Sequence, residues 1–182
     1  VILNAKTFCD IIRHIPYDKI IFETDEKLQC KIYCGDIEYF MTGISPKDYP
    51  ELPDVNTGRA IHIPQTKLKE LISGTIFAVS ENQGRPIHTG VRFEVNEGVI
   101  SAIAVDGFRL ARRTFHPENP VNRTLAFVVP AQGLKEVEKI LTDADGDASF
   151  TIGPKHILFQ IGGATLVCRL LEGDFLDWRR VV

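Results

Sequence analysis

The chain has 182 residues, of which 44% are hydrophobic and 25% charged, and its net charge at pH 7 is -3. This composition is typical of a folded globular protein and excludes disordered and fibrous chains. No apolar run approaches the roughly 20 residues of a membrane-spanning helix, and the first residues lack the pattern of a signal peptide. We therefore expect a cytoplasmic protein that does not enter membranes.

An apolar strand and an amphipathic helix open the chain. Residues 1–3 are apolar, and the next apolar side chains follow the i, i+3, i+4, i+7 spacing of a buried helical stripe, at Phe8, Ile11, Ile12 and Ile15. Three strand-like runs joined by turn residues come next, at 19–24, 28–34 and 37–43. The order predicts a βαβββ unit with an antiparallel meander.

The same unit recurs twice more, at a spacing of about 60 residues. The second helix carries its apolar stripe at Leu68, Leu71, Ile72 and Thr75, and the third at Leu134, Val137 and Leu141. The strand-like runs are 61–63, 90–95, 99–105 and 108–115 in the second copy, and 127–129, 148–152, 156–161 and 164–171 in the third. The repeat predicts an α+β fold.

A single βαβββ unit cannot bury both its helix stripe and its sheet face, so we expect the units to pair. The second and third copies form one pair, whereas the first has no mate. Pro-rich residues 44–53 and the similar exit at 171–178 are typical of linkers between domains. We therefore expect a half-domain to precede Val1 and further chain to follow Val182.

Four cysteines are present, at Cys9, Cys30, Cys34 and Cys168, without a CxxC pair. We predict reduced core residues rather than a zinc site, because Cys30, Ile32 and Cys34 alternate onto one face of a strand. The sequence also lacks HExxH, G-x-S-x-G, Walker and G-x-G-x-x-G patterns, and the aspartates at 143, 145 and 147 do not complete an EF-hand. We expect no catalytic group, metal or cofactor.

The dipeptide Asp106-Gly107 between two apolar runs predicts a hairpin turn, because glycine accepts a positive φ. The turn alone does not explain the large side chains of Phe108, Arg109 and Leu110. The equivalent turns, at 35–36 and 162–163, carry no Phe-Arg-Leu. Residues 108–110 therefore need an explanation other than the fold.

The order and spacing of three segments resemble the bacterial sliding clamp family, the β subunit of DNA polymerase III. They are Ile44 to Pro53, Val105 to Leu110 and Leu170 to Val181, and the resemblance covers the whole chain. It implies a DNA-clamp fold, with antiparallel sheets outside and helices on the inner face of a ring that two three-domain subunits close. It also implies that residues 1–53 are the second half of clamp domain one, 54–59 a linker, 60–176 a complete domain two, and 177–182 the start of a linker to an absent domain three.

The resemblance further implies a non-enzymatic processivity factor. In the family, the replicative polymerase, the clamp loader and repair proteins insert linear peptides into a pocket between domains two and three. The domain-two wall would be His88, Val105, Gly107, Phe108, Arg109, Leu110, Leu176, Arg180 and Val181. Three of these depart from the usual pattern: Phe108 replaces a common histidine, Leu176 a common proline and His88 a common aliphatic residue.

Double-stranded DNA would contact the helices without sequence specificity. The helical period puts Lys6 and Arg13 opposite the first stripe, and Lys135 and Lys139 opposite the third. Lys69 flanks the second stripe, and family likeness adds Asn82 and Arg85 in the loop 80–86. Alternatively, the cations lie on helix faces that are simply solvated, and residues 80–86 form a flexible polar loop. The homodimer edge would be the strand 37–43, with Phe40 and Met41 as contacts.

Two other functions are compatible with the residues. One is a small α+β enzyme or ligand-binding domain that uses the same cleft, and the other is a structural repeat protein without a DNA role. The repeat architecture favours the clamp, and the missing catalytic groups count against the enzyme.

Overall fold

The computed structural model describes residues 1–16, 19–49, 51, 53, 55, 59–144 and 146–180. The chain divides into two compact units, Val1–Leu52 and Pro53–Val182. Among the described residues, no helix is long and apolar enough to cross a membrane.

The first unit consists of one helix and one antiparallel sheet of order β1-β2-β3. The elements are α1 (Ala5–His14), β1 (Ile21–Thr24), β2 (Gln29–Cys34) and β3 (Ile37–Thr42). The side chain of Asn4 caps α1 by accepting a hydrogen bond from the Thr7 N–H at 3.0 Å. The expected opening strand at 1–3 is reduced to an isolated bridge between Ile2 and Ile44.

The core of the first unit confirms the alternation along β2 and corrects two expectations. Cys30, Ile32 and Cys34 are buried, as predicted. Cys9, expected in the core, is exposed on α1. Met41, expected as an edge contact, is buried at 8% exposure, whereas its neighbour Phe40 is 66% exposed. Consecutive strand residues point to opposite faces, so only one of the two can present its side chain outward.

The second unit contains the other two repeats. The second repeat comprises β4 (Ile61–Pro64), α2 (Gln65–Ser73), β5 (Gly90–Asn96), β6 (Val99–Val105) and β7 (Leu110–Phe115). The third repeat comprises β8 (Leu125–Pro130), α3 (Ala131–Ile140), β9 (Asp147–Ile152), β10 (His156–Ile161) and β11 (Ala164–Arg169). Helices α2 and α3 begin directly after Pro64 and Pro130, which are their N-cap residues.

The two copies exchange their opening strands. Strand β8 pairs with β5 to complete the sheet β7-β6-β5-β8, and β4 pairs with β9 to complete the sheet β11-β10-β9-β4. Each four-stranded sheet therefore contains three strands of one copy and one strand of the other. The predicted pairing of the two copies takes this interlocked form.

One continuous hydrophobic core fills the second unit. The stripe residues Leu68, Leu71, Leu134 and Val137 of α2 and α3 are buried in it, as the periodicity predicts. The two helices contact each other and pack against the sheets. The core fixes the hairpin β6–β7 and the segment between α2 and β5, and both border the site described next.

Candidate functional site

A cleft of about 740 Å³ lies in the second unit between the β6–β7 hairpin, the segment after α2 and the residue Leu176. It brings together six of the nine residues predicted for the protein-binding pocket: His88, Val105, Gly107, Phe108, Arg109 and Leu176. These residues come from three separate stretches of sequence. The structure therefore gathers most of the predicted wall at one place.

The other three predicted residues do not line the cleft. Leu110 is the first residue of β7, is half-buried and pairs with Val105 across the hairpin. Arg180 is exposed, and its Nε lies 3.1 Å from Oδ2 of Asp177. Val181 lies outside the described residues.

The cleft also contains residues that the sequence placed elsewhere or overlooked. Asn82 and Arg85, which were assigned to DNA, line it together with Val79, Ser80, Glu81 and Asp106. Asn82 caps its own turn, because its Oδ1 accepts a hydrogen bond from the Gly84 N–H at 2.8 Å. The assignment of this loop to DNA came from family likeness alone. The number of residues between the loop and the β6–β7 hairpin does not indicate that both line one cleft.

The hairpin turn is longer than predicted and includes Phe108 and Arg109. Oδ1 of Asp106 accepts hydrogen bonds from the backbone N–H groups of Phe108 and Arg109, each at 3.0 Å. Gly107 has a φ of +92°, which favours glycine. Because the aspartate removes two N–H groups from the ladder, β7 begins at Leu110 rather than at Phe108.

The apolar side chains of the cleft differ sharply in exposure. Phe108 is 100% exposed and Leu176 40%, whereas Val105 is buried at 4%. A fully exposed phenylalanine at the tip of a rigid turn gains nothing from burial in this chain. Exposed apolar groups beside a cleft are typical of surfaces that contact another molecule.

The two arginines of the cleft differ in whether a carboxylate pairs with them. Nε of Arg109 donates to Oδ2 of Asp106 at 2.7 Å. The N–H groups of Phe108 and Arg109, together with the Arg109 charge, hold the pKa of Asp106 below its usual range. Within the part of the chain that the structure describes, no carboxylate pairs with Arg85. Arg85 is therefore the guanidinium that the cleft leaves available for a ligand.

His88 lines the cleft and contacts the segment that carries Leu176. Its ring meets the ring of Phe175 edge-on, with centroids 5.2 Å apart, and its Nε2 accepts a hydrogen bond from the Leu176 N–H at 3.4 Å. Burial first, and the charge of Arg85 second, lower the pKa of His88. A neutral ring with the proton on Nδ1 fits this bond, because an acceptor Nε2 carries no proton.

Apart from Arg85, the cations predicted to face DNA lie on the helices, and three of these five have a carboxylate partner. Lys69 on α2 is 2.7 Å from Oδ1 of Asp143, and Lys139 on α3 is 2.9 Å from Oε1 of Glu136. Lys135 on α3 is exposed. In the first unit, Lys6 is exposed on α1, and Arg13 lies 3.5 Å from Oδ1 of Asp10.

A larger cleft of about 1200 Å³ lies between the start of α2 and the β7–β8 loop. None of the residues predicted for binding lines it. Among the described residues, no group of three His, Cys, Asp or Glu side chains could hold a metal ion.

Comparisons with known proteins agree on one family. A model of the family described as DNA polymerase III beta subunit, central domain, matches residues 62–177. The beta sliding clamp of Staphylococcus epidermidis is 33% identical over 181 residues, which are 100% of this chain and 48% of that protein. The beta sliding clamp of Staphylococcus aureus is 34% identical over 181 residues, which again are 100% of this chain and 48% of that protein. The chain thus spans about half the length of the curated relatives it matches.

Solved structures confirm the predicted clamp fold. The DNA polymerase sliding clamp of Bacillus subtilis superposes with a TM-score of 0.91 at 32% identity, over 99% of this chain and 47% of that chain. A Pseudomonas aeruginosa sliding clamp bound to griselimycin superposes with a TM-score of 0.88 at 28% identity, over 99% of this chain and 49% of that chain. These similarities do not favour the alternative of a small enzyme or ligand-binding domain.

Proposed function

Since this chain belongs to the DNA polymerase III beta subunit family, we propose that it is part of a DNA polymerase processivity factor. The whole protein would be a ring that encircles duplex DNA and tethers the replicative polymerase, the clamp loader and repair proteins. It would do so without catalysing a reaction. The observation that carries this proposal is the cleft that gathers His88, Phe108, Arg109 and Leu176.

The cleft has the features that capture of a linear peptide requires. Phe108 and Leu176 offer exposed apolar surface to an apolar anchor of the peptide, and burying such anchors supplies most of the affinity of small interfaces. Arg85 supplies donors for a peptide carbonyl or carboxylate, while Arg109 is held in place by Asp106. A few fixed polar groups around an apolar surface set the orientation of a ligand.

The cleft is open to solvent, and the chain spans about half the length of its relatives. We assign residues 1–53 to the second half of domain one, 54–59 to a linker, 60–176 to domain two and 177–182 to the next linker. The two interlocked sheets between β4 and β11 support the boundaries of domain two. The remaining wall of the pocket would come from domain three.

Helices α2 and α3 support the DNA contact. They are in contact with each other and carry Lys69, Lys135 and Lys139 among acidic residues. Mixed charge of this kind gives weak, salt-sensitive and non-specific attraction to phosphates. A ring that slides along DNA needs attraction of that strength. In the first unit, Lys6 and Arg13 on α1 are further cations that we propose for contact with DNA.

Closure of the ring as a homodimer would use the β3 edge of the first unit. Among the described residues, β3 has a partner strand on one side only, and Phe40 presents its ring outward at 66% exposure. An unpaired edge with an exposed aromatic side chain is a surface on which another strand can pair. We expect this assembly in the cytoplasm, where the bacterial chromosome is replicated.

Retention on circular DNA tests the proposal. The full-length protein, loaded onto closed circular DNA by a clamp loader, should stay bound during gel filtration in high salt. Linearising the DNA with a restriction enzyme should release it, because a ring slides off free ends. Retention on the linear DNA, or failure to stay on the circle after loading, would contradict a topological link.

A further inference from the structure

A buried carboxylate outside the cleft holds the segment 175–180, which carries Leu176. Glu94 lies on β5 and is 6% exposed. Its Oε2 accepts a hydrogen bond from Nη2 of Arg179 at 2.8 Å, and its Oε1 accepts from Nε1 of Trp178 at 3.4 Å. Oε1 also accepts from Nε of Arg92 at 2.8 Å. One side chain thus joins β5 to two consecutive residues of the segment.

Two cations also contact the ring of Trp178. The guanidinium groups of Arg112 and Arg179 lie 4.6 and 4.5 Å from its ring centre. These are distances at which cations attract aromatic rings. Trp178 is 9% exposed, so the segment is packed against the sheet at this point.

The upstream end of the segment is fixed by a second set of contacts. The guanidinium of Arg92 lies 5.5 Å from the ring centre of Phe175, whose ring also contacts His88. Leu176 therefore lies between two attachment points, and its backbone N–H bonds to His88. Arg92 belongs to both sets, because its Nε bonds to Glu94.

We infer that Glu94 is a positioning residue for the peptide cleft. It does not line the cleft, so it acts through the segment 175–180. Three cations, Arg92, Arg112 and Arg179, surround Phe175 and Trp178. In the described part of the chain, Glu94 is the carboxylate that pairs with two of them. Without its charge the cations repel each other, and the segment loses its attachment to β5.

A loosened segment lowers peptide affinity without removing a contact. Leu176 then occupies its place in the cleft for only part of the time, and the apparent affinity falls by that fraction. The peptide must also order the segment when it binds. This inference rests on the proposed peptide-binding function.

The variant Glu94→Gln in the full-length protein tests the inference, because glutamine keeps the size of the side chain and removes its charge. The probe is a fluorescein-labelled synthetic peptide that covers the clamp-binding segment of the DNA polymerase III catalytic subunit. We expect the dissociation constant to rise by about fivefold or more. The matched control is Glu118→Gln, which removes one charge from the exposed β7–β8 loop and should leave affinity unchanged.

Trp178 supplies a second readout that a purely stabilising role would not change. It is the only tryptophan in this sequence, and subtracting the signal of a Trp178→Phe variant isolates its fluorescence. In folded Glu94→Gln protein, acrylamide should quench Trp178 more strongly than in the wild type. Arg179→Gln removes the partner of Glu94 at a mostly exposed side chain. It should lower peptide affinity and increase quenching, as Glu94→Gln does, and it tests the inference if Glu94→Gln does not fold.

The outcomes separate the two proposals. Unchanged affinity and unchanged quenching in a folded variant would overturn the role of Glu94. Stronger quenching with unchanged affinity would also overturn it, since the segment would then move without effect on the cleft. A wild-type protein that does not bind the peptide would instead overturn the peptide-binding function itself, and with it this inference.

Discussion

Arg109 is bonded to Asp106 twice. Its backbone N–H donates to Oδ1 at 3.0 Å, and its Nε donates to Oδ2 at 2.7 Å. The turn therefore holds both the backbone and the guanidinium of Arg109 through a single carboxylate. The arginine borders the cleft in a set orientation instead of sampling many rotamers, which reduces the entropy lost on binding.

Replacing Asp106 should separate the two bonds. Asp106→Asn keeps an oxygen for the N–H groups of Phe108 and Arg109 but removes the ion pair, whereas Asp106→Ala removes both. We expect peptide affinity to fall for Asn and further for Ala, as measured by fluorescence anisotropy in the full-length protein. Asp36→Ala, in the equivalent turn of the first repeat, is the control and should bind like the wild type. Equal affinity of Asp106→Ala and wild type would contradict the role of the turn.

Phe108→Ala should weaken peptide binding without affecting the fold. The side chain is 100% exposed, so we expect unfolding free energy to change by less than about 0.5 kcal/mol. The loss of an apolar anchor should raise the dissociation constant about tenfold, equivalent to about 1.4 kcal/mol. Phe77→Ala is the matched control, because Phe77 is also exposed, at 60%, but does not line the cleft. Similar losses in both variants would mean that exposed aromatic surface in general, not this cleft, binds the peptide.

Peptide binding should weaken in acid because of His88. Protonation turns its Nε2 from an acceptor into a donor and breaks the bond from the Leu176 N–H. Because its pKa lies below the ordinary 6.5, affinity should be constant above that pH and fall as the pH passes through the lowered pKa. His88→Gln should flatten this part of the profile, and His116→Gln on the β7–β8 loop should not. Identical profiles in all three proteins would exclude His88 as the titrating group.

The same shift gives the sign of the effect on stability. As the pH falls, the unfolded chain binds the proton on residue 88 before the folded chain does. The contribution of His88 to the free energy of unfolding is therefore complete above about pH 6.5 and is lost as the pH falls through the lowered pKa. Urea unfolding of wild type and His88→Gln across this range measures the difference.

Lys135 should contribute more to DNA attraction than its neighbours on the helices. It is exposed on α3, whereas Lys139 is bound to Glu136 at 2.9 Å. Each phosphate contact contributes about 0.9 to the slope of log affinity against log salt. Lys135→Ala should lower this slope by about that amount, and Lys139→Ala by less. Lys155→Ala in the β9–β10 turn is the control, and an equal effect there would contradict a DNA surface on the helices.

Much of the fold could be predicted from the periodicity of the apolar residues. Leu68, Leu71, Leu134 and Val137 are buried because a 3.6-residue period has one geometric solution, a helix with that face inward. The exchange of β4 and β8 between the two sheets could not be predicted from periodicity. A short strand with apolar residues has the same pattern whichever sheet it joins, since the pattern specifies burial and not the neighbouring strand.

The candidate site was predictable where residues are close in sequence. Family likeness located Phe108 and Arg109, but the turn was predicted too short, because the Asp106 side chain competes with the ladder for two N–H groups. Glu94 gave no signal at all, since its partners Trp178 and Arg179 lie more than 80 residues further along the chain. The positions of Met41 and Phe40 could have been separated by the alternation of strand side chains alone.

The strand exchange has a consequence for synthesis on the ribosome. Strand β4 finds its partner only when β9 appears, because Ile61 pairs with Phe150. At an elongation rate of about 5–20 residues per second, the intervening chain takes several seconds to emerge. During that interval β4 has no sheet to join. The nascent protein is therefore exposed to chaperones and to aggregation until almost all of the second unit has left the exit tunnel.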